Sequence, residues 1–236
     1  MAQKINPNAF RLGITVPWSN RWFFKRSFRF FIEEDHLIRK IVKQKILQSG
    51  VAVIEIERTG EMIKVTIRAS RPGLIIGRGG KGVEDLKKIL AKEIARLRVK
   101  NKINQKFNLN LNVEELRRLE VSAPVIAQQI AFDIEKRIPY RTVIKRQMDT
   151  IRHARGVLGV KIKVSGRLNG AEISRNDRLS VGRMPLQSLR ANIDYGEATA
   201  FNSYGTVGIK VWIYKGEIFE KETDRSYESL SAQAGN

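Results

Sequence analysis

The chain has 236 residues, 42% of them hydrophobic, enough to bury one large core or two ordinary ones. Its 44 Lys and Arg outnumber 24 Asp and Glu, and for a chain of this size a formal charge of +20 implies a polyanionic partner. Cysteine is absent, which excludes disulfides and thiolate chemistry. No apolar run approaches the ~20 residues that span a bilayer, and Met1 to Phe10 lacks the apolar centre of a secretory signal. The basic residues are spread over several elements and not gathered on one amphipathic anchor. That favours nucleic acid over an anionic membrane surface.

Residues 1–20 read as an extended arm. Asn6-Pro7-Asn8 and Val16-Pro17-Trp18 interrupt any helix, Lys4 and Arg11 add charge, and Phe10, Leu12, Ile14 and Trp18 call for a surface to dock on. The following Arg21-Trp22-Phe23-Phe24-Lys25-Arg26-Ser27-Phe28-Arg29 interleaves cations with rings. The rings suit core packing and base stacking alike, and the cations suit phosphate. A helix is predicted from Glu33 to Ser49, with Glu33, Glu34 and Asp35 as a helix-start charge run. Leu37, Ile38, Ile41, Val42 and Ile46 form its apolar face, and Gly50 ends it. Ile54 and Ile56, then Ile63, Val65 and Ile67, alternate with polar residues around Thr59-Gly60-Glu61, which predicts a hairpin.

Arg71-Pro72-Gly73 and a short helix lead into Gly77-Arg78-Gly79-Gly80-Lys81-Gly82. Glycines at this density suit a backbone that comes very close to a ligand. The loop opens a helix whose N-terminus favours anions, and Arg78 and Lys81 reinforce it. A P-loop is excluded because Gly82 follows the lysine where Ser or Thr is required. A dinucleotide fingerprint, Gly77-x-Gly79-x-x-Gly82, needs a buried strand before it, and Pro72-Gly73 leaves no room for one. An ordinary helix–turn corner explains one glycine but not the run. A G-x-x-G loop between two helices, Gly77 to Gly80, is the KH signature that clamps about four nucleotides of single-stranded backbone. The next helix, from about Val83 to Leu97, carries Val83, Leu86, Leu90, Ile94 and Leu97 as one stripe. A strand follows, with Phe107, Leu109, Leu111 and Val113 alternating with asparagines. The order helix, strand, strand, helix, G-x-x-G, helix, strand is that of a type II KH domain.

A boundary is expected near Glu114–Ser122. Ser122 reads as a helix cap with Pro124 in the first turn, and Pro139 forces a break. A second helix, from about Tyr140 to Ala154, buries Val143, Ile144, Met148 and Ile151 and exposes Arg141, Lys145 and Arg146 near its N-terminal end. There cations oppose the helix dipole, so a polyanion contact is expected. Val160, Ile162 and Val164 form a strand, and a glycine-punctuated bend follows at 165–173. Arg175, Arg178 and Arg183 continue the basic theme, and two more strands lie around Ala191–Phe201 and Val207–Tyr214. The tail from Lys215 is polar and acidic-leaning and reads as disordered at its end.

Several blocks together resemble the family of bacterial-type small-subunit ribosomal protein three. They are Gln3-Lys4-Ile5-Asn6-Pro7 with Phe10-Arg11-Leu12-Gly13-Ile14, and Ile75-Ile76-Gly77-Arg78-Gly79-Gly80. Further on come Val164-Ser165-Gly166-Arg167-Leu168 with Gly170-Ala171-Glu172-Ile173, then Arg183-Met184-Pro185-Leu186, then the stretch from Gly205 to Ile213. The resemblance covers the chain to about Gly216. It implies an α+β protein of the small-subunit head in four parts: an arm (1–20), a type II KH domain (21–115), a C-terminal α+β domain (116–215) and a polar tail (216–236). In that second domain two helices pack on a mainly antiparallel sheet. It also implies small-subunit rRNA as ligand, ribosomal proteins ten, fourteen and two as neighbours, and a position lining the channel through which mRNA enters. In the family an aromatic-Arg-Arg-x-x-Lys-Arg helix assists mRNA unwinding. The corresponding Tyr140-Arg141-Thr142-Val143-Ile144-Lys145-Arg146 keeps Arg141 and Lys145, has Thr142 in place of the second arginine, and carries Arg146 beside them.

The RNA-facing residues expected on this reading fall into three groups. Gly77, Arg78, Gly79, Gly80 and Lys81 form the KH loop. Arg141, Lys145 and Arg146 form the mRNA-facing helix. Lys4, Arg11, Arg21, Lys25, Arg26, Arg167, Arg175, Arg178 and Arg183 are further rRNA contacts. No metal spacing and no Ser/His/Asp set occurs, and His36 and His153 are the sole histidines. An enzyme, a cofactor, a small-molecule substrate and a membrane partner are therefore not expected. A free KH regulator of RNA is the competing class, but it leaves the second domain without a purpose. The expected location is a cytoplasmic ribosome, with an organelle carrying a bacterial-type ribosome as the alternative.

Overall fold

The computed structural model describes residues 5–22, 28–46, 49–59, 61–101, 107–116 and 121–219. In the N-terminal half, β2 (Val51–Thr59) and β3 (Met62–Ala69) pair antiparallel as the hairpin predicts. β4 (Asn108–Glu115) runs parallel to β3, and a two-residue β1 (Asn20–Arg21) runs parallel to β2, giving the order β1-β2-β3-β4. Helices α2 (Phe28–Lys45) and α4 (Lys81–Lys100) lay Ile38, Val42, Leu90 and Ile94 onto Ile54, Ile56, Ile63, Val65 and Ile67. Between β3 and α4 comes the short α3 (Pro72–Ile76) and a 3₁₀ turn over Arg78–Gly80. This is the α+β arrangement of a KH domain.

The acidic run of α2 is not a helix start. The helix begins five residues earlier, at Phe28, so Glu34 and Asp35 fall one turn further in, on its buried face. Arg58 lies on the core face of β2, where it donates to Glu34 at 2.7 Å and to Asp35 at 2.5 and 3.0 Å. Arg98 of α4 donates to Glu34 at 2.7 and 3.2 Å. The remaining oxygen of Asp35 accepts from Asn20 at 2.8 Å and from the Trp22 indole at 2.9 Å. The rings of Phe31 and Phe107 cover the two guanidinium groups at 5.0 and 4.6 Å. Buried charges persist only when fully partnered, and here two carboxylates and two guanidinium groups satisfy one another. The cluster ties α2, α4, β1 and β2 together.

The C-terminal half has its own core. α5 (Ala123–Glu135) and α6 (Tyr140–Arg152) cover one face of an antiparallel sheet ordered β6-β5-β8-β7. Its strands are β5 (Gly159–Gly166), β6 (Arg175–Gly182), β7 (Ala191–Asn202) and β8 (Gly205–Glu217). Val160, Ile162, Val164, Val207, Ile209, Val211 and Ile213 point toward the helices. α5 approaches β7 so closely that a Cβ on Gly196 would stand 2.3 Å from the Pro124 nitrogen. Ser122 holds the N-cap position of α5 with Pro124 in the first turn, as expected, but its side chain makes no capping bond. Asp194 of β7 reaches across and accepts from the Ala123 N–H at 2.9 Å.

The arm also departs from expectation. Asn6-Pro7-Asn8 starts a helix, α1 (Pro7–Arg11), instead of preventing one. Asn6 accepts from the Asn8 N–H at 2.9 Å, and Pro7 takes a first-turn position where its missing N–H costs nothing. Arg11 is fully buried, so it is not available to RNA. Its guanidinium donates to the carbonyls of Ala191, Leu186, Ser188 and Pro7 at 2.8, 3.0, 2.7 and 3.2 Å. Burial draws its pKa below the usual guanidinium value. With α1 held against the C-terminal sheet and β1 added to the N-terminal one, the arm straps the two halves together. Gln128 of α5 adds a bond to the Val51 carbonyl at 3.0 Å. Among the described residues no helix is long and apolar enough to cross a membrane.

Arg58→Met strands Glu34 and Asp35 with too few donors. Urea denaturation is expected to show a loss of about 3–5 kcal/mol, the usual cost of breaking a buried ion pair from one side.

Candidate nucleic-acid interface

The glycine loop projects from the N-terminal half between α3 and α4. The element before it is a helix and not a strand, which removes the dinucleotide reading. Gly77, Gly79 and Gly80 take φ of +68°, +62° and +80°, values a side chain resists. A Cβ added at Gly79 or Gly80 would meet nothing within 4 Å. The loop therefore stands open, with Arg78, Gly79 and Lys81 exposed. No side chain caps α4, so the N–H groups of its first turn face the loop at the positive end of a 20-residue helix. Gly82 has a separate duty: a Cβ there would stand 2.4 Å from the Ile75 carbonyl, so its absence lets α4 abut α3. Leu74 and Ile76 of α3 are 61% and 40% exposed, an apolar flank beside the glycine loop. Sequence patterning assigns neither residue a surface role, because exposure of an apolar side chain within a short helix is a tertiary fact.

On α6 the two faces separate cleanly. Val143, Ile144, Gln147, Met148 and Ile151 are buried, while Arg141, Thr142, Lys145 and Arg146 are exposed. The cations near its start have partial explanations within the fold. Arg141 donates to the Tyr140 hydroxyl at 3.0 Å, and that hydroxyl donates to Asp177 at 3.1 Å. These contacts raise the Arg141 pKa, the Tyr140 hydrogen bond contributing most and Asp177 less. Arg146 pairs with Asp133 at 2.5 Å. Both guanidinium groups remain largely in solvent, 75% and 55% exposed, and surface pairs of this kind are weak and exchangeable. Lys145 has no recorded ion pair among the described residues.

The other expected contacts scatter. Arg21 lies on the helix-free face of the N-terminal sheet, 3.4 Å from Glu57. Arg167 pins the 168–171 turn, donating to the carbonyls of Ala171 at 3.0 Å and Tyr204 at 3.2 Å. Arg175, Arg178 and Arg183 are exposed on or just after β6. Lys4, Lys25 and Arg26 lie outside the described residues, as does the tail from residue 220.

Residues 37–121 match the KH domain family, and residues 130–213 match the family described as ribosomal protein S3, C-terminal domain. Proteins named small ribosomal subunit protein uS3 align over nearly the whole chain. The one from Syntrophomonas wolfei is 42% identical over 97% of this chain and 95% of its own length. That from Maridesulfovibrio salexigens is 45% identical over 95% and 100%, and that from Persephonella marina 38% over 99% and 98%. The chain belongs to the small ribosomal subunit protein uS3 family. It is thus a structural, non-enzymatic, RNA-binding protein of the ribosome. The uS3 assignment covers both halves, so the second domain needs no separate account.

Replacing Gly79 and Gly80 together by Asp places carboxylates where phosphate is expected, in open space. Fluorescence anisotropy is expected to show at least about tenfold weaker binding of single-stranded RNA. Circular dichroism is expected to show an unchanged fold, at a modest thermal cost from two strained φ angles.

Proposed function

We propose that this chain is a structural constituent of the small-subunit head that holds small-subunit rRNA through its KH loop and its C-terminal domain. At the channel through which mRNA enters, α6 holds the incoming message. Small-subunit proteins ten, fourteen and two are its neighbours. The observation that carries the mRNA reading is the exposed row Arg141, Lys145 and Arg146 on a helix whose opposite face is buried. The row is rigidly placed, so it offers phosphates a fixed set of cations without ordering a loop.

The chemistry is charge retention and needs no nucleotide hydrolysis. A strand held on α6 after a hairpin opens is withdrawn from re-pairing, and forward movement of the message becomes favoured. Thr142 removes one cation from the row. Arg141 and Arg146 exchange their weak carboxylate partners for phosphate.

Arg141→Ala with Lys145→Ala is expected to slow translation through stable mRNA hairpins several-fold while leaving unstructured messages close to wild type. Equal slowing on both templates would contradict the role of α6 in unwinding. In a sucrose gradient at moderately high salt, the wild-type chain is expected to travel stoichiometrically with small subunits. Retention at the top of the gradient would instead favour a free RNA-binding regulator.

A further inference from the structure

The two sheets each leave one face free of helices, and they treat charge in opposite ways. On the N-terminal sheet every recorded cation has a carboxylate beside it. Glu57 lies 3.4 Å from Arg21 and 3.3 Å from Lys64, and Arg68 lies 3.4 Å from Glu55 and 3.0 Å from Glu114. This is a neutralised, solvated face.

The C-terminal sheet does the reverse. The core residues Ile162, Val164, Ile209 and Val211 point to the helices, so Lys163 and Lys210 point to the other side. In the register, Lys163 stands opposite Arg178 on one neighbour and opposite Lys210 on the other. Directly opposed side chains on adjacent strands lie about 5 Å apart, and like charges there destabilise a sheet. Three cations thus form a row across β6, β5 and β8. No ion pair is recorded for any of them among the described residues. The acidic residue that continues the row is Glu197 of β7, and it accepts from the Tyr195 hydroxyl at 3.0 Å. Lys161 adds a fourth cation to the same face, 5.4 Å from the centre of the Trp212 ring. Phe201, on the same face by register, is 71% exposed. One end of the face is covered by Met184 and Leu186 packed on Ile193 and Tyr214. Beyond it Arg178, Lys210 and Phe201 are exposed, with Lys163 half-buried between the two cations.

We propose that this helix-free face is a second RNA-binding surface of the C-terminal domain, on the opposite side of the sheet from α6. Its occupant is a single-stranded RNA segment. Arg178, Lys163 and Lys210 hold its phosphates, and Phe201 takes a base. An acidic protein would satisfy the charge but gives no use to an exposed ring, and a duplex offers no base face to stack on. The domain is then held between two RNA segments, one on α6 and one on the sheet. The proposal rests on the RNA-binding reading of the chain and adds where a second strand lies.

The test uses the full chain and a fluorescent single-stranded 12-mer RNA, titrated at several salt concentrations. Lys163→Gln, Arg178→Gln and Lys210→Gln combined are expected to weaken binding roughly tenfold or more. They should also flatten the slope of log K against log salt by about 2, three contacts at ~0.7 each. Melting temperature should stay the same or rise, because opposed like charges are removed. Phe201→Ala should weaken binding further, while Lys64→Gln with Arg68→Gln on the neutralised sheet should change nothing. If wild type binds RNA and the triple variant binds with the same affinity and slope, the proposal is overturned. It is also overturned if the triple variant loses only duplex affinity, or only a protein neighbour in assembled subunits. Failure of wild type itself to bind RNA would instead overturn the underlying RNA reading.

Discussion

Carboxylates are scarce in this chain, 24 against 44 lysines and arginines, and their placement decides which surfaces stay cationic. Two of them, Glu34 and Asp35, are taken into the core of the KH domain to partner Arg58 and Arg98. Three more, Glu55, Glu57 and Glu114, neutralise the helix-free face of the same domain. In the C-terminal half Asp194 caps α5 and meets Lys215, and Asp133 and Asp177 lie under the cations of α6. Among the described residues, the cations outside these ion pairs include the loop before α4, Lys145 on α6 and the row across β6, β5 and β8, together with exposed lysines of α4 such as Lys87, Lys88 and Lys92.

The second constraint is mechanical. The Arg11 side chain is buried against four carbonyls, three of them in or just before β7, while Asn20 and Arg21 a few residues on extend the other sheet. A chain that enters both halves before building either one sets their mutual position. The glycine loop and α6 are therefore joined through the arm's contacts with both halves and are not two modules on a bare linker.

Local patterning carried much of the fold. The hairpin, the stripe of α4, the alternation in β4 and β5 and the two C-terminal helices follow from periods of two and 3.6, and the glycine loop from its spacing. Asn6-Pro7-Asn8 misleads locally, since the same residues that interrupt a helix can cap and start one. The misread charges share another cause, which is pairing across long sequence separations. Glu34 and Asp35 resemble a helix-start run until Arg58 and Arg98 arrive from other elements. Arg11 resembles a surface cation until β7 supplies carbonyls 180 residues away. β6 lacks a legible alternation because it is an edge strand exposed on nearly every residue. Lys163 reads as the polar side of a strand, and only the register reveals that both its neighbours, Arg178 and Lys210, are also cations.

Lysine acetylation of the chain, free and within assembled small subunits, tests the central claim that carboxylate placement leaves particular faces for RNA. The account predicts that Lys81, Lys145, Lys163 and Lys210 become protected on assembly while Lys64, beside Glu57, stays reactive. Protection of Lys64 equal to theirs, or continued reactivity of Lys163 and Lys210 in the subunit, would contradict it.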